Sequence, residues 1–297
     1  MSFKDLKKIR LVIVAGGWSS ERSVSINSGK NVFNALKKNG YKVTFFDLKK
    51  NNLRELFKSK PELIFNALHG EFGEDGGISC LANKFNIPIT HSTDISSALC
   101  FNKRLLKKFL KKELNLLSPR ELHEIKKINF PLIAKPNADG SSKGVRIIND
   151  YKMLKKLRID ENILIEEKIE GIELTVTVIE DKKRIRTLGV TEITFNSAHY
   201  DFKAKYTHGK SKHYLPARIS KKNYKYLLNL SKMIFKKCMC RSIARLDFIL
   251  DSKSNCFYFL ELNTHPGLTS ISLAPEQAQY NKISYLSLIK KIISSSC

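Results

Sequence analysis

"RLDFIL" at residues 245–250 and "FYFLELN" at 257–263, followed by "THPG" at 264–267, have the composition of buried strands, yet charged and amide side chains interrupt both runs. In an extended strand alternate side chains share a face, so Arg245 and Asp247 point away from Leu246 and Phe248, and Glu261 and Asn263 also share a face. The intervening "DSKSNC" (251–256) is polar and short enough to return the chain. A hairpin with all four polar groups on one side is therefore expected. Two carboxylates converging on a dry face need a cation between them. Hard oxygen ligands with no nearby Cys or His suit Mg²⁺ rather than zinc, and Mg²⁺ completes its shell with water and phosphate oxygens. The same pattern is also met in an Arg–Asp/Glu network on a solvated face.

Around that hairpin, 297 residues with 42% hydrophobic content suffice for two or three modest domains. No apolar run approaches the ~18–20 residues needed to span a bilayer. The first residues, "MSFKDLKKIR", lead into a strand-like segment with no signal-peptide core, so a soluble, cytoplasmic protein without membrane attachment is expected. Six cysteines, of which only Cys238 and Cys240 are close together, form neither a disulfide framework nor a C-x-x-C metal site. Reduced, mostly buried thiols are the expected state.

The net charge of +25 raises the question of nucleic acid. The lysines, however, are scattered through "KKNNLRELFKSK" (49–60), "KRLLKKFLKKE" (103–113) and "SKKNYKYLLNLSKMIFKK" (220–237), which read as helices with apolar residues inside and Lys outside. Aromatic residues are not interleaved as a stacking platform requires, and no nucleic-acid-binding motif is present. Nucleic acid is not the expected partner, although a basic surface attracts an anionic nucleotide.

The chain divides into three expected parts. Over 1–92, strand and helix patterns alternate: "RLVIVAGG", a helix to about Lys38 closed by Gly40, "YKVTFFDL", "LRELF", "LIFNALHG", "ISCLANKF" and "IPIT". Such alternation predicts a Rossmann-like parallel sheet, with ligands beyond the carboxyl ends of its strands, where "GGWSSER" (16–22) and "HGEFGEDGG" (69–77) fall. A central part, 93–180, opens with a helix and continues with "FPLIAKP", "GVRIIND", "NILIEEKI" and "LTVTVIE". The last part, 181–297, holds further strands, a polar Lys-rich segment at 195–214, a long helix near 221–237, the hairpin and a terminal helix. In the central part, "KPNADGSSKG" (135–144) joins two strands as a small-residue loop. It can fold backbone N–H groups onto phosphates beside Lys135, or serve as an ordinary turn. In "ILIEEKIEGIEL" (163–174), Glu166, the 167–169 backbone and Glu173 could supply an acceptor for an adenine amine, an edge for the ring and a carboxylate for the ribose; solvated charges at a strand end are the plainer alternative.

Taken together, "GGWSSERSVS" (16–25), "NALHGEFGEDG" (66–76), "KPNADGSSKGV" (135–145), "EEKIEGIELTV" (166–176), "AKYTHG" (204–209), "ARLDF" (244–248) and "ELNTHPGLTSISLAPEQA" (261–278) closely resemble the D-alanine:D-alanine ligases of the ATP-grasp superfamily. The matches run in order over nearly the whole chain. The resemblance implies an α/β fold, α+β in its C-terminal half, in which an ATP-grasp unit follows the Rossmann-like domain. It implies that Asp247, Glu261 and Asn263 ligate two Mg²⁺ (or Mn²⁺) ions and that Lys103, Lys135 and Lys205 bind ATP phosphates. Glu166, Glu167, Ile169 and Glu173 become the adenine and ribose contacts. Glu21 holds the ammonium of the first D-alanine in a triad with Ser141 and Tyr206, and His69 lies near that substrate. Arg245 and the Gly267 N–H form the oxyanion site, and Ser272 and Leu273 bind the second D-alanine's carboxylate. The segment 195–214 becomes a lid, and the protein a homodimer.

The implied chemistry suits these residue types. A carboxylate is a poor electrophile, so the γ-phosphoryl of ATP is moved onto the first D-alanine, and the amine of the second attacks the resulting acyl phosphate. A D-alanine:D-lactate ligase is the near alternative, against which Tyr206 argues, and another carboxylate:amine ligase of the same fold is the broader one. A basic nucleic-acid-binding protein leaves the carboxylate hairpin unexplained. His199, His208 and His213 are spaced for a solvated lid rather than a metal cluster.

Overall fold

A computed structural model describes residues 5–122, 129–140, 143–158, 160–195 and 211–295. The N-terminal sheet is parallel, in the order β2-β1-β3, with β1 at Leu11–Gly16, β2 at Val43–Leu48 and β3 at Leu63–Asn66. Every residue of β1 is buried, as a central parallel strand covered on both faces requires. Helix α1 (Arg22–Lys38) lies close on one face: a methyl group on Gly29 would stand 2.5 Å from the Ala15 Cβ. Helices α2 (Leu53–Lys58) and α3 (Gly77–Lys84) cover the other, burying Leu56, Phe57, Ile78 and Ala82. "IPIT" is less than the strand expected of it. It meets β3 through a single bridge, Ile64 with Ile89, where Pro88 has no N–H to extend the ladder.

Helices α4 (Asp94–Phe101) and α5 (Lys103–Leu114) come next, then a small antiparallel sheet in the order β5-β4-β6: β4 at Leu132–Pro136, β5 at Arg146–Ile148 and β6 at Ile163–Glu167, with α6 at Tyr151–Lys155 between the last two. The larger sheet is antiparallel in the order β11-β10-β7-β8-β9. Its strands are β7 (Gly171–Asp181), β8 (Arg184–Phe195), β9 (Ser211–Tyr214), β10 (Ile243–Asp251) and β11 (Phe257–Asn263). Helix α7 (Lys221–Lys237) precedes β10, and α8 (Leu273–Tyr280) and α9 (Tyr285–Ser294) end the described chain.

Packing runs across the expected boundaries at 92/93 and 180/181. Strand β7 pairs with both β8 and β10, so a boundary at 180/181 would cut a hairpin inside one sheet. Helix α5 buries Leu106 and Leu110 in the core of that same sheet, together with Leu227, Ile234 and Phe235 of α7. Leu288, Ile289, Ile292 and Ile293 of α9 pack into the N-terminal core with Leu11, Ile13 and Val32. The segment expected as a lid begins and ends in strand: Phe195 pairs with Ser211 and Ile193 with His213. Among the described residues no helix is long and apolar enough to cross a membrane.

Candidate active site

The β10–β11 hairpin forms as its alternation predicts, with Arg245 opposite Asn263 and Asp247 opposite Glu261. One feature escapes strict period 2. Counting from Phe257, every second residue would put Phe259, Glu261 and Asn263 on one face, yet Phe259 is fully buried in the core while Glu261 lines the cleft. A bulge resolves this: Asp247 pairs with Glu261 but Phe248 pairs with Phe259, so Leu260 is the extra residue and the face switches there.

On the cleft side the carboxylates already have cationic neighbours. Arg245 Nη2 donates to Asp247 Oδ2 at 2.9 Å and Arg245 Nε to Oδ1 at 3.0 Å, while the Thr175 hydroxyl donates to Oδ1 at 2.6 Å. Arg245 Nη2 also lies 3.9 Å from Glu261 Oε1, and Lys103 Nζ 3.5 Å from Glu261 Oε2. Arg245, Lys103, Asp247 and Glu261 thus sum to zero charge, which lets them share one half-buried cluster. Asn263 Oδ1 accepts the His265 N–H at 2.6 Å.

The cleft between the two antiparallel sheets encloses about 1510 Å³ of space, part of it open to solvent. Lys103, Lys135, Arg245, Asp247 and Glu261 line it, as do Glu166, Glu167, Ile169 and Glu173 along the β6–β7 edge. Gly267, Ser272 and Leu273 line its rim as well. Ser272 caps the turn before α8, accepting the Thr269 N–H at 3.1 Å. A side chain on Gly267 would stand 2.8 Å from the Ser272 hydroxyl, so that hydroxyl would have to shift to admit one.

Glu21 and His69 come from the carboxyl ends of the parallel strands and are both buried. Glu21 touches the cleft wall through Gly140, where a methyl group would come within 2.5 Å of Glu21 Oε2. The His69 ring lies 3.1 Å from Glu74 Oε1 through Nδ1 and 3.2 Å from the Ser28 hydroxyl through Nε2. Burial alone would lower its pKa, but the hydrogen bond and charge of Glu74, with the charge of Glu21, turn it upward. Ser141, Lys205 and Tyr206 lie outside the described residues, as do His199 and His208. His213 instead pairs with Glu276 of α8 at 2.8 Å.

Three participants escape the reading of the sequence. Lys107 reads as outward-facing on a basic helix, but Lys103 and Lys107 are both buried, and Lys107 Nζ pairs with Glu166 Oε1. Its place four residues after Lys103, on the side of Leu106 and Leu110, is the signal that could have found Lys107. Asn66 Nδ2 donates to His265 Nε2 at 3.0 Å, tying the "NALHG" loop to the "THPG" turn. Burial drives His265 well below its ordinary pKa, consistent with that nitrogen accepting. Gln277 of α8 is fully buried and accepts the Thr177 N–H at 2.8 Å.

The family model described as "D-ala D-ala ligase C-terminus" matches residues 105–294. A D-alanine:D-alanine ligase of Rickettsia typhi is 40% identical over 297 residues, spanning 96% of this chain and 91% of that protein. One of Rickettsia canadensis is 39% identical over 300 residues, spanning 97% and 84%. The crystal structure of the D-alanine:D-alanine ligase from Bacillus anthracis complexed with ATP aligns with a TM-score of 0.79 at 30% identity, over 97% of this chain and 96% of that one.

Proposed function

This chain belongs to the D-alanine:D-alanine ligase family, and from that premise we propose that its cleft joins two D-alanine molecules with cleavage of ATP to ADP and phosphate, a step toward peptidoglycan precursors. The observation that carries the reading is the cleft itself. Asp247 and Glu261 face Arg245 and Lys103 on one wall, Lys135 and Glu166 lie along the next, and Glu21 stands behind Gly140. That is the charge layout a polyphosphate and an amino acid need side by side.

Asp247, Glu261 and Asn263 are an all-oxygen donor set that fits Mg²⁺ or Mn²⁺, and such ions would neutralise phosphate charge during transfer. In this reading Lys103, Lys135 and Lys205 bind the phosphates. Glu166 and the 167–169 backbone take the adenine, with Glu173 on the ribose. Glu21, next to His69, holds the first ammonium so that its carboxylate meets the γ-phosphoryl. Arg245 and the Gly267 N–H then stabilise the oxyanion formed when the second amine attacks. Ser272 and Leu273 hold the second carboxylate at the N-terminus of α8, where the helix dipole favours an anion. Tyr206, bonded to Ser141 and Glu21, closes the 195–214 lid, because an acyl phosphate must be kept from water. The enzyme works as a cytoplasmic homodimer, with no nucleic acid or membrane partner.

The test is phosphate release and dipeptide formation measured in parallel from ATP with D-alanine, L-alanine, D-alanine plus D-lactate, or no amino acid. One dipeptide per phosphate, with D-alanine alone, is the expected result. Turnover with L-alanine, or a depsipeptide as main product, overturns the assignment of the acceptor.

A further inference from the structure

A buried ion triad adjoins the cleft, which two of its members, Lys135 and Glu166, line. Lys107 Nζ donates to Glu166 Oε1, and Lys135 Nζ to Glu166 Oε2 at 2.8 Å. The side chains of Lys107, Lys135 and Glu166 are 8%, 12% and 2% exposed. Two ammoniums on one carboxylate leave a surplus positive charge where such charge is costly. Burial and the neighbouring Lys135 push Lys107 down to about 7. Glu166, which burial alone would raise, is held below its ordinary range by Lys135 and Lys107. Lys103 and Lys107 are one turn apart on α5, and Lys103 Nζ donates to the Asp139 carbonyl at 2.6 Å beside Glu261. One helix therefore reaches both ends of the proposed nucleotide site.

On the reading of this cleft as an ATP site, we infer that Lys107 is a positioning residue for the nucleotide base: its ammonium fixes the Glu166 carboxylate so that the cleft accepts a base carrying an amine and rejects one carrying a carbonyl there. A carboxylate oxygen accepts more than one hydrogen bond, so Glu166 can take the adenine amine with Lys107 still in place. A carbonyl in that position would set acceptor against acceptor, which is discrimination by an unpaired polar contact. The triad also couples the base to the phosphates. When Lys135 turns to the incoming phosphates, their charge offsets the surplus and Lys107 holds its proton more firmly. The charged groups around Lys107 are Glu166 on β6, Lys135 on β4, Lys103 and Arg104 on its own helix, and Glu261 on β11 beyond Lys103; Arg104 is engaged by Glu121. ATP binding near pH 7 therefore takes up a proton, and ATP affinity falls as pH rises above 7.

The experiment is calorimetry of MgATP binding to the full chain at pH 6–9 in two buffers of different ionisation enthalpy, with KM measured for ATP, GTP and D-alanine. Lys107→Met should weaken ATP by about tenfold or more, as expected for losing a hydrogen bond to a charged group. It should narrow the ATP-over-GTP preference by a similar factor, leave the KM for D-alanine unchanged and abolish proton uptake. Lys107→Arg, charged throughout this range, should restore affinity without proton uptake and without the fall above pH 7. Because Lys107 acts through Glu166, adding Lys107→Met to Glu166→Gln should change ATP binding by less than about twofold. Unaltered ATP affinity and base preference in Lys107→Met, or effects of the two substitutions that multiply, overturn the inference. If Lys107→Met does not fold, Lys107→Arg decides: wild-type proton uptake in that variant overturns it. Wild-type protein that makes dipeptide while these variants behave as wild type sinks Lys107 alone, whereas wild-type protein that binds no ATP sinks the functional reading.

Discussion

Gly140 and Glu21 meet so closely that the smallest side chain tests the substrate end of the cleft. The methyl group of Gly140→Ala would sit 2.5 Å from Glu21 Oε2 and 3.1 Å from its carboxyl carbon, so the carboxylate must move. Initial-rate measurements should show KM for D-alanine raised about tenfold with KM for ATP little changed, since misplacement by a fraction of an ångström suffices for such a loss. Glu261→Gln keeps shape and removes one charge from the neutral cluster with Asp247, Arg245 and Lys103. A fall in kcat of about a hundredfold or more is expected, with the thermal midpoint nearly unchanged; near-wild-type kcat at saturating Mg²⁺ would take Glu261 out of the reaction. His69 offers a pH test. Its folded pKa is raised chiefly because Glu74 outweighs burial, so the stability it contributes is fully present below about 6.5 and is lost as pH rises through the folded value. In Glu74→Gln burial dominates and the imidazole should titrate below its wild-type value by NMR. The melting-temperature gap between wild type and Glu74→Gln should be widest in mild acid and narrow toward alkaline pH.

Strand β7 carries a second irregularity that α8 repairs. Its register against β8 slips between Val176 and Val178, and at that slip Gln277 accepts the Thr177 N–H at 2.8 Å while its amide donates to the Thr175 carbonyl at 3.1 Å and the Thr191 hydroxyl at 2.9 Å. The same helix begins at Ser272 and Leu273, on the cleft rim, and Thr175 also holds Asp247. Gln277→Leu fills the space but leaves these groups buried without a partner, at about 1–3 kcal/mol each. A drop in thermal midpoint of several degrees is the expected result. Gln277→Glu should be less harmful at acid pH, where a protonated carboxyl can still both donate and accept. Equal melting of Gln277→Leu and wild type would mean that the slip needs no help.

At the scale of the molecule, the C-terminal helix completes the N-terminal core. Leu288, Ile289, Ile292 and Ile293 of α9 are essentially inaccessible in the cluster containing Leu11, Ile13, Val32 and Leu36, and the Ser242 hydroxyl donates to the Ile292 carbonyl at 3.2 Å. Burying four such side chains contributes about 1.5–3 kcal/mol each, comparable with the whole stability of an ordinary domain at about 5–15 kcal/mol. Removal of residues 285–297 should therefore abolish the cooperative melt of the N-terminal sheet, and residues 1–92 expressed alone should not fold. A soluble, cooperatively melting 1–92 fragment would show that the interface is dispensable.

Much of the fold is legible locally. The alternation in 245–250 and 257–263 dictates a hairpin, the apolar run at 11–16 dictates a central parallel strand, and the small-residue loops fall at strand ends, because backbone geometry imposes periods of 2 and 3.6 on neighbouring residues. Of the residues that the resemblance assigns to a site, most line one cleft, while Glu21, His69 and Asn263 are not among its lining residues and Ser141, Lys205 and Tyr206 lie outside the described residues. What the sequence could not reveal depends on elements meeting. The extra residue Leu260 is visible only against its partner strand, and Gln277 matters only because β7 slips beneath it. Strand β7 belongs with β8 because they share a ladder, whatever their place in a linear division. Lys107, which reads as one more solvated lysine of a basic helix, becomes a buried partner of Glu166, 59 positions away, only once α5 packs beside the small sheet. Local pattern fixes which way a side chain points along its own element, whereas the charge it meets there is set by what the rest of the chain packs against it.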